Sequence, residues 1–280
     1  MLTTACRAAK LAGKLLMASY GKLKNSQIST KSKNDFVTEL DRKSEALIIS
    51  IIKKRFPSHG ILAEEGSSDK GDGTLWIIDP LDGTSNYIHQ FPMFSVSIGI
   101  LQKGRLEAGV VYDPVHDEMF TAQRGKGAFL NKKRVHTTRV KHLADGLVTT
   151  GIPFRARDRF DEYLASFEKI SLGSVGLRRA GSAALDLVYV ACGRFDGFWE
   201  INLSPWDIAA GALIIEEAGG RVTDMWGNPD YLKSGDILAS NGLIHKELCA
   251  ITSKTFTKLH RNKLSSFAEA SEDEQDCSRP

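Results

Sequence analysis

Two acidic side chains leave the end of one apolar strand, at Asp79 and Asp82, and Gly83 and Thr84 follow them directly. A hard divalent cation such as magnesium binds oxygen ligands, and a tight turn aims both carboxylates and the intervening Leu81 carbonyl at one point. Asp-Pro and Asp-Gly are also common turn sequences, and a threonine in this position is a good helix cap. The stretch alone therefore predicts either a metal site or an ordinary turn.

Two further acidic segments, 64–65 and the helix start at Asp207, allow the same two interpretations. Glu64 and Glu65 end a second buried strand, and Asp207 lies in the first turn of an apolar helix, where the helix dipole alone would stabilise it. Carboxylates from three separate elements repel one another in a partly dry site, which raises their pKa values unless cations lie between them. Convergence of these groups would imply a metal, and the sequence pattern leaves that convergence open.

The elements around these residues are predicted from hydrophobic periodicity and turn residues. One helix runs from Leu2 to near Gly21, and a second is capped by Thr38, carries Asp41 in its first turn and stops at Pro57. Strands are predicted over 61–63, 75–78, 96–100, 109–112, 118–122, 128–130, 147–150, 198–201 and 237–239, and further helices over 161–170, 182–191, 208–218 and from residue 245. This alternation predicts an α/β protein of layered helices and mixed sheets.

The composition is that of a globular protein with closely packed lobes. The 280 residues are 42% apolar and 25% charged, and the formal net charge of +3 is too small to indicate nucleic acid as the main ligand. No linker-like stretch interrupts the chain, so a boundary near residue 145 would divide lobes 1–145 and 146–264 that pack together. Residues 265–280 lack an apolar period and carry five acids against one arginine, which predicts a disordered acidic tail.

Other residue types give no competing site. The histidines show no ligand spacing, and no CxxC pair occurs among the four cysteines, which are Cys6, Cys192, Cys249 and Cys277. No apolar run reaches the length of about 18 residues that a membrane span requires, and no signal peptide is recognisable. We therefore expect a cytoplasmic protein without a membrane partner.

Four ordered motifs resemble the inositol monophosphatase family. They are 35–41, 64–65, 79–84 and 206–211 with 217–220, and the stretch 178–186 is similar to that of the bacterial inositol-1-monophosphatases. The resemblance extends over roughly residues 1–260. It implies a layered α/β/α/β/α sandwich of the sugar-phosphatase type, with a metal- and phosphate-binding lobe before residue 145 and a substrate lobe that closes the site after it.

The resemblance also implies how the site would work. Two or three magnesium ions would be held by oxygen ligands, namely Glu64, Asp79, the Leu81 carbonyl, Asp82 and Asp207. Thr84 would act with Asp41 or Glu64 on the attacking water, which would displace the alcohol in line without a covalent phosphoenzyme. The backbone N–H groups of Gly83 and Thr84, at a predicted helix N-terminus, would bind the phosphate.

Substrate selection would lie in the second half of the chain. The resemblance places substrate contacts at Gly181, Ser182, Ala183, Glu200 and Asp207, and Arg178 fits a substrate contact or a subunit contact equally well. It implies a lithium-sensitive phosphatase for inositol monophosphate that forms a homodimer. Fructose 1,6-bisphosphate, nucleotide 3′-phosphates and histidinol phosphate remain open as alternative substrates.

A regulatory role is the alternative from another class. Bacterial proteins similar to this chain are associated with RNA polymerase and with antitermination during ribosomal RNA synthesis. Basic surface segments such as 53–55 and 132–134 permit a contact with the transcription machinery, although such segments are usually solvated faces. The two roles do not exclude each other.

Overall fold

The computed structural model describes residues 1–23, 26, 28–32, 35–154 and 156–258. In this part of the chain, eight α-helices occur: α1 Leu2–Ser19, α2 Glu39–Arg55, α3 Thr84–Ile88, α4 Phe160–Gly173, α5 Ala183–Ala191, α6 Pro205–Glu217, α7 Tyr231–Ser234 and α8 His245–Thr255. The predicted tail at 265–280 lies outside the described residues.

Fifteen β-strands occur in the same described residues. They are β1 Ile28–Ser32, β2 Asp35–Thr38, β3 His59–Ala63, β4 Ser68–Gly71, β5 Thr74–Asp82, β6 Ser95–Gln102, β7 Arg105–Asp113, β8 Glu118–Gln123, β9 Gly127–Leu130, β10 Lys133–Val135, β11 Leu147–Thr150, β12 Gly176–Arg178, β13 Gly197–Glu200, β14 Arg221–Thr223 and β15 Ile237–Ser240. Every strand and helix that the periodicity predicts is present.

Two mixed sheets and one hairpin contain these strands. The large sheet has the order β10-β9-β8-β7-β6-β5-β3-β4, in which only β3 and β5 are parallel neighbours. The small sheet has the order β12-β11-β13-β15-β14, and its first three strands are parallel. The pairing of β5 with β6 shifts register between Asp79 and Asp82, so a bulge lies where the acidic motif begins.

Five layers pack around three apolar cores, of which the central one contains the middle helix layer. Trp76 and Ile78 of β5 point into a core with α1 and α2, whereas Ile77 points to the opposite face, into a core with α5 and α6. Phe198 of β13 closes that second core from the small sheet, and its neighbour Trp199 faces a third core with α4 and α8. Strand side chains alternate between the two faces of a sheet, so both faces of each sheet contribute apolar side chains. Helices pack on both faces of each sheet. The predicted α/β/α/β/α sandwich is confirmed.

Two paired glycines let α6 lie directly on the large sheet. Gly99 and Gly109 are opposite each other on β6 and β7. A Cβ atom on Gly99 would lie 2.8 Å from the Cβ of Ala209, and one on Gly109 would lie 2.7 Å from the Ala210 carbonyl oxygen. This close approach places the first turn of α6, which carries Asp207, beside the acidic end of β5.

The two halves of the chain share the central core. The large sheet is built from residues before 145 and the small sheet from residues after it. The helices α5 and α6, however, belong to the second half and pack on the large sheet of the first half. The division into lobes 1–145 and 146–264 stays a prediction, and such lobes would be joined through this core.

Candidate active site

Three carboxylates from two elements converge in the structure. Asp79 and Asp82 flank the bulge of β5, and Asp207 is the third residue of α6. Each offers an oxygen within 4.8 Å of the other two, and all three side chains are buried. The convergence that the sequence pattern leaves open is therefore present.

Glu64 joins this group from the neighbouring parallel strand. It directly follows β3, and its N–H donates to the Ile78 carbonyl of β5 at 3.1 Å. Asp79 accepts a hydrogen bond from the Leu81 N–H at 3.0 Å, which folds the bend between the two aspartates. Burial raises the pKa of Asp79 well above its usual value, and the nearby charges of Glu64, Asp82 and Asp207 raise it further. Such a site favours a cation.

Asp82 connects the large sheet to α5. One of its oxygens accepts hydrogen bonds from the Ser182 hydroxyl and, at 2.9 Å, from the Ala184 N–H. Burial raises the pKa of Asp82 to about 6, although these two donors favour the charged form. Ser182 is also the N-cap of α5, so one hydroxyl organises the helix start and the carboxylate.

Asp41 and Thr84 form a second unit beside the acids. Thr38 and Asp41 make a capping box at the start of α2, in which one Asp41 oxygen accepts the Thr38 N–H at 2.9 Å and the Thr38 hydroxyl at 2.6 Å. The other oxygen lies 3.0 Å from the Thr84 hydroxyl, which also lies 3.1 Å from the Leu81 carbonyl. Burial raises the pKa of Asp41 to about 6.

Gly83 turns the chain from the acidic bend into α3. Its φ of +92° is in the left-handed region, and a Cβ atom there would lie 2.8 Å from the Met93 carbonyl oxygen. Only glycine meets both conditions without strain. The predicted helix start at Thr84 is confirmed, and Gly83 and Thr84 line the same cleft as the carboxylates.

One cleft is bordered by both halves of the chain. Nearly all residues that the sequence analysis proposes for the site line it, namely Glu64, Asp79, Leu81, Asp82, Gly83, Thr84, Gly181, Ser182, Ala183, Glu200 and Asp207. Asp41 lies directly behind Thr84 through their hydrogen bond. The roles of these residues stay predictions.

Glu200 is buried and lines the same cleft as the acidic bend. A Cβ atom on Gly151 would lie 2.0 Å from the Glu200 carboxyl carbon, so only glycine leaves room for this side chain. Burial raises the pKa of Glu200 well above its usual value, the charges of Asp186 and Asp207 raise it further, and Arg179 opposes them. This carboxylate therefore gains from hydrogen-bond donors of a bound ligand.

Some residues that line the cleft are missed by the sequence analysis. Arg179 lines it, whereas Arg178 is exposed, bonds to the Leu177 carbonyl and is not among the described residues that border the cleft. Asn86 also lines it and donates to the carbonyls of Met93 and Ala180 at 2.7 and 2.9 Å, which ties α3 to the loop before α5. The alternatives for Arg178, a substrate contact or a subunit contact, stay open.

The donor set fits a hard divalent cation. Carboxylate and backbone carbonyl oxygens are the ligands that magnesium prefers, and here oxygens of Asp79, Asp82 and Asp207 lie close together in the lining of one cleft. Burial raises the pKa of both Asp79 and Asp82, as expected for buried negative charges that the protein alone does not compensate. Asp79, Asp82 and Asp207 form the centre of this possible site.

Comparisons with known proteins agree with this geometry. The model of the inositol monophosphatase family matches residues 1–256. A protein named Nus factor SuhB from Pseudomonas aeruginosa is 48% identical over 254 residues, which are 89% of this chain and 94% of that protein. An inositol-1-monophosphatase from Mesorhizobium japonicum is 42% identical over 256 residues, which are 91% and 96% of the two chains.

A solved structure shows the same fold. An inositol monophosphatase from an Anabaena species superposes with a TM-score of 0.82 at 41% sequence identity, covering 91% of this chain and 96% of that one.

Among the described residues, none of the helices combines the length and the apolar character needed to cross a membrane.

Proposed function

The chain belongs to the inositol monophosphatase family, a family of metal-dependent phosphomonoesterases, and from this premise we propose that it hydrolyses inositol monophosphate to inositol and phosphate. The convergence of Asp79, Asp82 and Asp207 at the base of an open cleft carries the proposal. These aspartates, with Glu64 and the Leu81 carbonyl, would hold magnesium, which would supply the Lewis acidity that activates water and neutralises phosphate charge.

Thr84 and Asp41 would prepare the attacking water. The Thr84 hydroxyl donates its proton towards Asp41, at 3.0 Å, which leaves its oxygen lone pairs to accept a hydrogen bond from the water. Water then attacks phosphorus in line and gives up a proton through the Thr84 hydroxyl towards Asp41, the ester P–O bond breaks, and the leaving alkoxide takes up a proton from solvent water. The backbone N–H groups at Gly83 and Thr84 would bind the phosphate oxygens.

The part of the cleft lined by the second half of the chain supports a polyol substrate. Glu200 is a buried carboxylate that faces the cleft, and carboxylates accept hydrogen bonds from adjacent hydroxyl groups. Gly181, Ser182 and Ala183 border the same space and present backbone groups and one hydroxyl. Inositol monophosphate is therefore the preferred candidate over fructose 1,6-bisphosphate, nucleotide 3′-phosphates and histidinol phosphate.

The test is phosphate release by the purified full-length chain. Inositol 1-phosphate, fructose 1,6-bisphosphate, histidinol phosphate and adenosine 3′,5′-bisphosphate are compared with magnesium, without it, and with lithium, and Asp82→Asn is the inactive control. We expect magnesium-dependent, lithium-sensitive release that is fastest from inositol 1-phosphate. Faster release from another ester moves the substrate assignment, and no release from any of them overturns the enzymatic proposal.

A second candidate function is regulation of ribosomal RNA transcription. It is favoured by the 48% identity to a protein named Nus factor SuhB. Such a role would use the surface of the protein rather than its carboxylates. Asp82→Asn, introduced in place of the natural gene, is therefore expected to keep the cellular role while abolishing hydrolysis. Loss of both together would contradict an independent regulatory function.

The assembly and location of the protein are part of the proposal. A homodimer in the cytoplasm is expected from the family resemblance and from the composition of the chain. Sedimentation equilibrium of the full-length chain tests the homodimer, which predicts twice the 30.8 kDa mass of one chain. A mass that stays at the single-chain value at micromolar concentration would contradict it.

A further inference from the structure

One face of α2 contacts the two segments that carry candidate site residues of the large sheet, the motif 79–84 and the turn after Glu64. Asp41, Ser44 and Glu45 are buried on this face, at helical spacings of three and four. Asp41 bonds to Thr84, and the Ser44 hydroxyl donates to the Pro80 carbonyl at 3.0 Å, within the acidic bend. The third residue, Glu45, reaches the turn that follows Glu64.

Glu45 uses both of its carboxylate oxygens on that turn. One oxygen accepts the Glu65 N–H at 2.8 Å, and the other accepts the Ser67 hydroxyl at 2.6 Å. The turn also closes on itself, because the Ala63 N–H donates to the Ser67 carbonyl at 2.9 Å. Glu45 therefore holds the turn at two points.

These contacts fix the backbone on both sides of Glu64. On its amino side, the Glu64 N–H donates to the Ile78 carbonyl of β5 at 3.1 Å. On its carboxyl side, the peptide group that joins it to Glu65 is held by Glu45. With both adjacent peptide planes held, the Cα–Cβ bond of Glu64 has one direction, which leads into the cleft beside Asp79.

We propose that Glu45 is a positioning residue that orients Glu64 for divalent-cation binding. The inference rests on the metal-binding role proposed above for Glu64. Alanine at position 45 would leave the Glu65 N–H without this buried acceptor and would free the turn. Glutamine would keep one acceptor oxygen for the Glu65 N–H, and its amide group would donate to the Ser67 hydroxyl, so it should preserve the orientation.

The experiment measures cation affinity without substrate. Calorimetric titration with Mn²⁺ is performed on the full-length wild-type chain and on Glu45→Ala, Glu45→Gln and Glu39→Ala. Glu39 is the matched control, because it is an exposed acid on the same helix and pairs with Lys43 at the surface. We expect Glu45→Ala to weaken Mn²⁺ binding about 10-fold to 100-fold, in the range measured for groups that orient metal ligands. Glu45→Gln and Glu39→Ala should bind as the wild type does.

Further outcomes separate the inference from the proposed function. A Glu45→Ala affinity equal to that of the wild type overturns the inference, and so does a glutamine variant as weak as the alanine variant. If Glu45→Ala does not fold, as judged by its melting curve, Ser67→Ala decides, because it removes one of the two contacts. Weaker Mn²⁺ binding than that of the wild type supports the inference, and an affinity equal to that of the wild type overturns it. If the wild type binds Mn²⁺ but releases no phosphate, the proposed function fails while the affinities still decide this inference. A wild-type chain that binds no Mn²⁺ overturns both.

Discussion

At the residue scale, Thr84 has one hydroxyl proton and two acceptors within reach, Asp41 at 3.0 Å and the Leu81 carbonyl at 3.1 Å. Thr84→Val keeps the shape and removes the hydroxyl, so the attacking water loses its proposed acceptor. We expect kcat to fall about 100-fold or more, with a small change in KM, as for a lost proton-transfer partner. Steady-state kinetics with inositol 1-phosphate measure the effect.

The matched control is Thr84→Ser, which retains the hydroxyl and is expected to retain most of the activity. A valine variant whose kcat is near that of the wild type would exclude Thr84 from the reaction.

The predictable site residues are those that stand at element ends. Asp79, Asp82 and Asp207 follow recognisable strand and helix boundaries, and the structure brings them together. The sequence could not show which of the neighbours Arg178 and Arg179 lines the cleft. Neighbouring side chains in an extended segment point in opposite directions, and the two residues are of the same type. Asn86, likewise, has partners in segments far from it in the chain, and no local pattern records them.

At the element scale, the position of α6 depends on the paired glycines of the large sheet. Gly109→Ala would place a Cβ atom 2.7 Å from the backbone oxygen of Ala210, so α6 must move outward and carry Asp207 with it. We expect a loss of about 1–3 kcal/mol in the free energy of unfolding, typical of overpacking, together with weaker magnesium activation. Urea denaturation and magnesium titration of activity measure the two effects.

Gly173→Ala is the matched control, because its Cβ atom would lie 3.7 Å from the nearest Leu143 atom, which is an ordinary contact. It should be neutral, or stabilising by up to about 1 kcal/mol, since alanine favours helix over glycine. Equal losses for the two variants would show that the approach of α6 is not the reason.

The strands that periodicity does not predict are the edges of the sheets. β4 and β10 border the large sheet, and β12 and β14 border the small one. Each has only three or four residues, which is too short for an apolar alternation to show, and in β4, β10 and β12 no side chain is fully buried. Central strands such as β6 are predicted because burial on both faces requires apolar side chains. The hairpin of β1 and β2 is missed as well.

At the scale of the whole molecule, the candidate site joins the two halves of the chain. Asp82 belongs to the large sheet but bonds to Ser182 and Ala184 at the start of α5, and Asp207 comes from α6. A cation bound between these carboxylates would therefore stabilise the contact of both halves. Metal binding and folding should be coupled, because ligands from both halves converge only in the folded chain.

Asp82→Asn should consequently raise the stability of the chain without magnesium and reduce the additional stability that magnesium gives. The pKa of Asp82 is about 6 in the folded chain against 3.8 as its usual value, so its contribution to stability is full below the lower value and is lost as pH rises through about 6. Removing that charge should raise the free energy of unfolding in EDTA near neutral pH by about 1–3 kcal/mol. Saturating magnesium should stabilise the wild type more than the variant, because it binds the ionised carboxylates. Thermal melts of both chains in EDTA and in magnesium measure these changes. Near pH 4, the difference between the two chains in EDTA should shrink. A variant less stable than the wild type in EDTA at neutral pH would contradict the prediction.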